Sequence, residues 1–337
     1  MILNYILLSR EIFSFAIISF ANFCNANFII FNNSSWIDYE TSILFYYSIL
    51  DSIWIYYDPI YSSSVSKFDL WNHHLCTIIL LWPKHNPYYI LPLLLTEFTT
   101  FLLFTLKFPL PTSIRIKIKN ILKISWPLLR IFGYPVGVFL TYNESISTTQ
   151  YLSNPCIFSS LIIYIYNWKW TCDFLKINKN KVNYSSLLVA IPLLLYILPV
   201  HIFISIFLLS SFSFFYNYTH HSIAFILDHS SISFTCLNFL YEYSLYNLVF
   251  NLISSITIGI IKYKNKKNLV FFDITNYIYI YTLYFYSMKY WEVLLLSPFI
   301  IMSLLLRKKY STYPWHALNG IYLSIVSHKK FYNTLHN

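Results

Sequence analysis

Charged residues are scarce in this chain. Of 337 residues, only 11% are Asp, Glu, Lys or Arg, whereas 57% are hydrophobic and the mean hydropathy is +0.54. Soluble domains carry about 25% charged residues, so this composition excludes an ordinary soluble protein. Apolar runs fill most of the chain, and runs of about 17 to 25 residues are what a helix needs to cross a bilayer core of roughly 30 Å. The sequence therefore indicates an integral membrane protein.

Glycine is rare, and the cysteines form no recognisable pattern. Only four Gly accompany 32 Tyr and 30 Phe, a bias typical of AT-rich codons, so an isolated Tyr carries little information about function. The five cysteines show no CxxC spacing, which excludes a disulfide framework and a cysteine-based metal site. They are Cys24, Cys76, Cys156, Cys172 and Cys236.

The positive charge lies in short clusters between the apolar runs. This arrangement is typical of membrane topology, so the net charge of +10 does not indicate a nucleic-acid partner, and membrane lipids are the expected partners. The basic clusters within 115–123 and 176–181 predict cytosolic loops. Counting back from them puts Arg10 in the cytosol and the loops 32–39 and 142–154 in the lumen. Both luminal loops contain Asn-x-Ser acceptor patterns, which agrees with this orientation.

We predict an all-α polytopic membrane helix bundle of about 12 or 13 transmembrane helices in two halves, 1–175 and 187–337. The predicted spans of the first half are 12–31, 40–57, 70–83, 88–106, 124–141 and 155–171. Those of the second half are 187–200, 201–218, 221–240, 243–261, 269–288, 289–306 and 313–328.

Three features refine this topology. We interpret the apolar run 187–216 as two helices broken near Pro199, because only then do the basic groups at 262–267 and 307–309 lie in the cytosol. The halves are not repeats of one another, and helix pairs broken by Gly or Pro are not evident, which disfavours a transporter. Trp168 and Trp170 flank the end of a span and indicate an interfacial aromatic belt.

Several ionisable side chains lie inside predicted spans of the first half: Asp51, His73, His74, Glu97 and Arg130. A charge at bilayer depth costs about 3 kcal/mol on insertion scales, so such groups face a protein interior or a wet cavity. A neutral imidazole beside a carboxyl group is a competent base or transient nucleophile. The alternative is a satisfied polar cluster that holds helices together in the membrane.

The pieces YSILDSIW, DLWNHHLCTIILLW, LLLTEFTTFLLF and WPLLRIFGYPVGVFL occur in this order. Together they resemble the TLC domain of TRAM, ceramide synthase and CLN-type proteins, over roughly residues 10–172. The resemblance implies a lipid-handling membrane protein of the endoplasmic-reticulum type. The ceramide synthases in this group acylate a sphingoid base from an acyl-CoA.

The chain departs from the synthases at one place. They carry a stretch rich in aspartates after the His pair, whereas Glu97 is the single carboxylate of the corresponding span here. The chain is therefore more similar to the non-synthase branch. If it catalyses acyl transfer, the expected base or acyl acceptor is His74, with His73 as its partner, Glu97 as the orienting acid and acyl-CoA as the acyl donor.

The second half contains another polar constellation, in FSFFYNYTHHSIAFILDHSS and STYPWHALNG. Ser213, Asp228 and His316 are similar to the pattern of the CREST superfamily of seven-helix hydrolases, which includes the alkaline ceramidases and implies a zinc site. Two ligand positions of that pattern are occupied here by Asn217 and Thr312, which are poor zinc ligands. We expect a degenerate metal site at Asp228 and His316 that holds no zinc. Histidines that could substitute from a neighbouring turn are His220, His221 and His229.

These observations predict a multipass protein of the endoplasmic reticulum or another endomembrane that binds or modifies a long-chain lipid, with sphingolipids the expected class. Two alternatives stay open. One is a non-enzymatic protein that senses lipids or organises the membrane, which the single carboxylate at Glu97 and the missing zinc ligands favour. The other is a zinc-dependent lipid amide hydrolase.

Overall fold

The computed structural model describes residues 2–57, 66–82, 86–147, 154–177, 184–196, 198–240, 298 and 313–336. Within these ranges the chain forms helices and turns and no strand, which confirms the all-α fold class. Contacts divide the chain into two compact units, Met1–Lys176 and Ile177–Asn337. The predicted spans at 243–261, 269–288 and 289–306 lie outside the described residues, apart from Pro298.

Each predicted span of the first half overlaps a helix of the first unit. The helices are α1 (Ile2–Phe31), α2 (Ser35–Tyr57), α3 (Lys67–Leu81), α4 (Pro87–Leu94), α5 (Glu97–Thr105), α6 (Thr112–Pro127), α7 (Tyr134–Ser147) and α8 (Asn154–Phe174). A π-helical segment, Leu128–Gly133, joins α6 to α7. The described part of the whole chain contains four stretches long and apolar enough to cross a membrane: Arg10–Phe31, Pro87–Thr105, Thr112–Asn143 and Val200–Thr219.

Short polar side chains set several helix ends. The Ser66 hydroxyl accepts the backbone N–H of Asp69 at 3.0 Å and caps α3, and the Asn86 side-chain oxygen accepts the N–H of Tyr88 at 3.0 Å and caps α4. Both side chains satisfy backbone donors that the first turn of a helix leaves unpaired. Asn32 ends α1 in the left-handed conformation with φ 52°, which Asn tolerates better than most residues. These three residues fix where α1 ends and where α3 and α4 begin.

The fourth predicted span is interrupted by a turn at 95–96, between α4 and α5. The backbone N–H of Thr96 bonds the carbonyl of Leu93 at 3.2 Å, and its hydroxyl bonds the same oxygen at 2.7 Å. These two i to i−3 hydrogen bonds satisfy the Leu93 carbonyl at the point where the α-helical hydrogen bonds are interrupted. The turn lies immediately before Glu97 and therefore sets the direction of that side chain.

The fifth predicted span contains the π-helical segment, and Pro135 supplies a cause. Proline has no N–H, so the carbonyl of Ile131, four residues earlier, receives no helical donor. The Tyr164 hydroxyl donates to that carbonyl at 2.9 Å instead. The irregularities at 95–96 and 128–133 each lie within a single apolar stretch, so the expected absence of helix pairs broken by Gly or Pro stays a prediction.

The helices of the first unit pack around a polar and aromatic interior. α1 contacts α2 and α5, α2 contacts α3, α3 contacts α8, and α4 contacts α7. The outer faces present large apolar side chains, such as Ile30 (69% exposed), Trp82 (77%) and Ile124 (71%). Exposed apolar faces of this kind suit acyl chains rather than water.

The second unit contains five described helical segments. They are a 3₁₀ segment (Tyr184–Ala190), α9 (Ile191–Leu195), α10 (Val200–Thr219), α11 (Ser222–Leu240) and α12 (Tyr313–His336). The helix breaks before Pro199, as predicted. Among the described residues, the piece before the break covers 184–195, about 21 Å at helical rises of roughly 2.0 and 1.5 Å per residue. This piece is shorter than a bilayer core of roughly 30 Å, and the separate crossing at 187–200 stays a prediction.

Candidate functional site

A buried carboxylate joins three helices of the first unit. Asp51 on α2 is 4% exposed and accepts two hydrogen bonds from Arg10 on α1, from Nε at 2.7 Å and from Nη2 at 2.9 Å. The Nε2 atom of His74 on α3 lies 3.0 Å from the Oδ2 atom of Asp51. Sequence reasoning identified Asp51 and His74 but missed Arg10. The available signal was that Arg10 and Asp51 lie at the same end of two antiparallel helices.

His73 occupies the neighbouring position and faces different partners. Its ring centroid lies 5.6 Å from that of His74 and 4.9 Å from the Trp170 ring, which it meets edge-on. The Nδ1 atoms of both histidines and the Nε2 atom of His74 are buried and have no hydrogen-bond partner, so His74 approaches Asp51 as a charge contact without the alignment of a hydrogen bond. Trp168 is only 8% exposed and Trp170 contacts His73, so both tryptophans pack against the protein, while their place at the membrane interface stays a prediction.

The helix that carries the His pair is held near both of its ends. Lys169 on α8 forms a buried ion pair with Asp69 in the first turn of α3. Toward the other end, the Cys156 thiol donates to the carbonyl of Ile79 at 3.2 Å. These contacts fix the rotation and depth of α3 against α8, so they position His73 and His74. Within the described residues, Cys24, Cys76, Cys156 and Cys172 form no disulfide.

Arg130 projects from the π-helical segment into the same interior. Its guanidinium donates to Thr99 Oγ1 at 2.7 Å, to Thr100 Oγ1 at 2.7 Å and to Asn167 Oδ1 at 2.9 Å. It also lies over the Trp126 ring, 4.5 Å from the centroid. These contacts compensate the cost of burying the charge. Arg130 therefore joins α5 and α8 rather than touching the His pair.

Replacing Arg130 by Lys is expected to lower the free energy of unfolding by about 1–3 kcal/mol, because an ammonium cannot reproduce the planar fork that reaches three oxygen atoms. Thermal unfolding of purified protein in detergent measures the change. Arg115→Lys is the matched control, since Arg115 makes one described hydrogen bond, to the Phe108 carbonyl at 3.3 Å. Equal unfolding temperatures for the two variants would contradict the stabilising role of Arg130.

Glu97 takes a different place from the one predicted. It begins α5, is half-buried, and interacts electrostatically with Arg130 and Tyr47. The carboxylate 3.0 Å from His74 Nε2 belongs to Asp51, and the role of Glu97 as an orienting acid stays a prediction. Glu97 also interacts with Glu40, a fully buried acid on α2 that sequence reasoning missed because it lies at the edge of a predicted span.

In the second unit the predicted ligands bond to hydroxyl groups. Ser213 donates to Asp228 Oδ1 at 2.5 Å, and Ser185 Oγ lies 2.7 Å from His316 Nδ1. The Asn217 amide donates to the carbonyl of Ser213 at 2.8 Å. Among the residues that the structure describes, no three His, Cys, Asp or Glu side chains converge as metal ligands do. His220 and His221 are exposed at the turn between α10 and α11, and the side chains of Thr312 and His229 lie outside the described part.

The described fold is all-α, and its four long apolar stretches are compatible with an integral membrane protein. No protein-family model, no curated protein and no solved structure matches the chain.

Proposed function

We propose that this chain is a multipass endomembrane protein whose first unit binds a long-chain lipid at the cluster formed by Arg10, Asp51, His73 and His74. One observation carries the proposal: an imidazole lies 3.0 Å from a carboxylate that is 4% exposed, inside a bundle of apolar helices. Ionisable groups at such depth usually mark a functional interior. The TLC resemblance supports a lipid, with a sphingolipid as the class to test first.

The geometry also supports acid–base chemistry on the bound lipid. The Asp51 carboxylate favours the His74 tautomer with its proton on Nε2, which leaves the lone pair on Nδ1. Nδ1 would accept the proton of a lipid hydroxyl or amine as that group attacks the thioester of an acyl-CoA. The acyl group passes to the lipid, and the proton leaves with the coenzyme A thiol. Asp51 stabilises the transient imidazolium.

A second candidate is a non-enzymatic lipid-binding or membrane-organising protein. Asp51 already receives two hydrogen bonds from Arg10, and Arg130 makes three hydrogen bonds to neighbouring helices. Interhelical bonds of this kind stabilise packing in a membrane without any chemistry.

The zinc hydrolase gains no support from the described residues, in which Asp228 and His316 bond to separate serines.

His74→Ala, in protein reconstituted in liposomes, is expected to reduce lipid turnover about 10²- to 10⁴-fold, the range that a general base contributes. A photoactivatable long-chain lipid reports binding separately from turnover of a labelled acyl-CoA and lipid acceptor. His73→Ala and Asp51→Asn test the neighbours of His74, and His201→Ala is the control because His201 is exposed on α10.

Three outcomes separate the candidates. Lipid labelling with turnover that depends on His74 supports the enzyme. Lipid labelling that requires the His pair, without turnover in the wild type, supports the non-enzymatic protein. Unchanged labelling and turnover in the variant that carries both His73→Ala and His74→Ala overturns the proposed site.

A further inference from the structure

A buried acid and a buried amide form an incomplete pair in the first unit. Glu40 on α2 is 0% exposed and Asn25 on α1 is 2% exposed. The Asn25 Nδ2 group donates to Glu40 Oε1 at 2.8 Å. The two remaining oxygen atoms of the pair, Glu40 Oε2 and Asn25 Oδ1, are buried and have no hydrogen-bond partner. Both are acceptors, so whatever satisfies them must bring a proton or a positive charge.

Glu40 is also the acid whose charge is left without compensation. The other two buried acids of the first unit each lie near a cationic side chain, Asp51 near Arg10 and Asp69 near Lys169, and the half-buried Glu97 interacts with Arg130. Within the described residues no Lys, Arg or His forms an ion pair with Glu40. The titratable group that acts on Glu40 is Glu97 on α5, which disfavours a negative charge there, and Glu40 in turn disfavours ionisation of the Cys24 thiol on α1.

A carboxylate in this position is unfavourable unless one positive charge joins it, because burial removes the water that would otherwise solvate it. The free atoms are both oxygens, which suits a proton or a hard cation. A divalent ion such as Ca²⁺ takes six to eight oxygen ligands and usually several carboxylates, more than this pair supplies. We propose that the Glu40–Asn25 pair binds one monovalent cation, supplied either as a proton or as an alkali metal ion.

The two sources complete the pair in different ways. A proton on Glu40 Oε2 turns the carboxylate into an acid that donates to an acceptor such as Asn25 Oδ1, which gives a reciprocal acid–amide pair. An alkali ion is coordinated by the two oxygens and leaves Glu40 ionised. This site is independent of the proposed lipid site, because it uses neither the His pair nor Asp51.

Thermal unfolding of the full-length protein in detergent distinguishes the sources. One arm titrates NaCl or KCl against choline chloride at fixed pH and ionic strength. An alkali site gives a saturable rise in Tm on the order of 5 °C, because the ion binds only the folded state. The other arm varies pH in choline chloride alone. A proton site gives a Tm that falls as pH rises, because the unfolded chain releases the Glu40 proton at a lower pH than the folded protein does.

Glu40→Gln tests the assignment to this pair. The Gln side chain carries its own N–H donor in place of Oε2, so it can satisfy Asn25 Oδ1 without any cation. We expect this variant to unfold at a temperature no lower than that of the wild type and to lose the cation and pH responses that Glu40 causes. The control is Glu11→Gln, because Glu11 is half-exposed and paired with Lys107 at 2.7 Å, and it should respond as the wild type does.

Two results would overturn the proposal. One is a wild-type Tm that responds neither to alkali ions nor to pH. The other is a Glu40→Gln variant that keeps the full response of the wild type, which would assign the effect to another group. If Tm rises with choline chloride as much as with NaCl, the alkali site is excluded. The pH titration then tests the proton site.

Discussion

Asp51→Ala is expected to lower the free energy of unfolding of the first unit by about 3–5 kcal/mol, the usual effect of removing one partner from a buried ion pair. The carboxylate is the common acceptor for Arg10 and lies against His74. Without it, the guanidinium of Arg10 keeps its charge in an interior where its side chain is only 14% exposed. Three helices lose their shared contact at once, so the effect should exceed that of any single hydroxyl in the bundle.

Thermal or denaturant unfolding in detergent measures this loss, with Glu11→Ala as the control. Glu11 also pairs with a cation, Lys107, but the two side chains are 48% and 50% exposed. Exposed pairs contribute about 0–1 kcal/mol, since water and salt screen them. Equal effects of the two substitutions would show that Asp51 is solvated and would remove the buried cluster from which the lipid site is argued.

Gly320→Ala is expected to be severely destabilising in the second unit. A Cβ atom at this position of α12 would lie 1.9 Å from the carbonyl oxygen of Leu188 and 2.9 Å from its carbonyl carbon. These are backbone atoms of the 3₁₀ segment and cannot rotate away, so α12 would have to separate from its neighbour. Overpacking of this kind costs about 1–3 kcal/mol or more, and the gain in helix propensity of about 1 kcal/mol does not offset it.

Gly137→Ala provides the comparison within the same chain. Its Cβ would come within 2.9 Å of the Leu93 side chain, which can change rotamer. We expect a smaller loss of stability than for Gly320→Ala, measured as Tm and as the monodisperse fraction on size-exclusion chromatography. If Gly320→Ala unfolds at the wild-type temperature, α12 and the 3₁₀ segment do not approach as closely as the structure indicates.

Local sequence signals were sufficient for the helices. The scarcity of charge and the length of the apolar runs predicted an all-α membrane-type fold, and the break near Pro199 is present because proline lacks the N–H that would continue a helix. The span predicted at 88–106 corresponds to the apolar stretch Pro87–Thr105, within which Thr96 closes a tight turn. The number of spans and the two predicted halves stay predictions.

The candidate site was only partly predictable. The rarity of ionisable groups in apolar runs identified Asp51, His74 and Arg130, and all three are buried. It did not identify which groups pair, so Glu97 was predicted beside His74, where the structure has Asp51. Glu40 was missed because one carboxylate at the edge of an apolar run resembles a residue at the membrane surface.

The sequence by itself determined that the chain is helical, apolar and of membrane type, because these properties follow from composition and from the length of each run. Tertiary structure alone decided that Arg10 and His74 share Asp51, that Trp170 contacts His73, and that Glu40 pairs with Asn25. The physical reason is that faces toward lipid and faces toward other helices are both apolar in a membrane, so hydrophobic pattern does not specify helix neighbours. Only the packed bundle shows which polar groups meet.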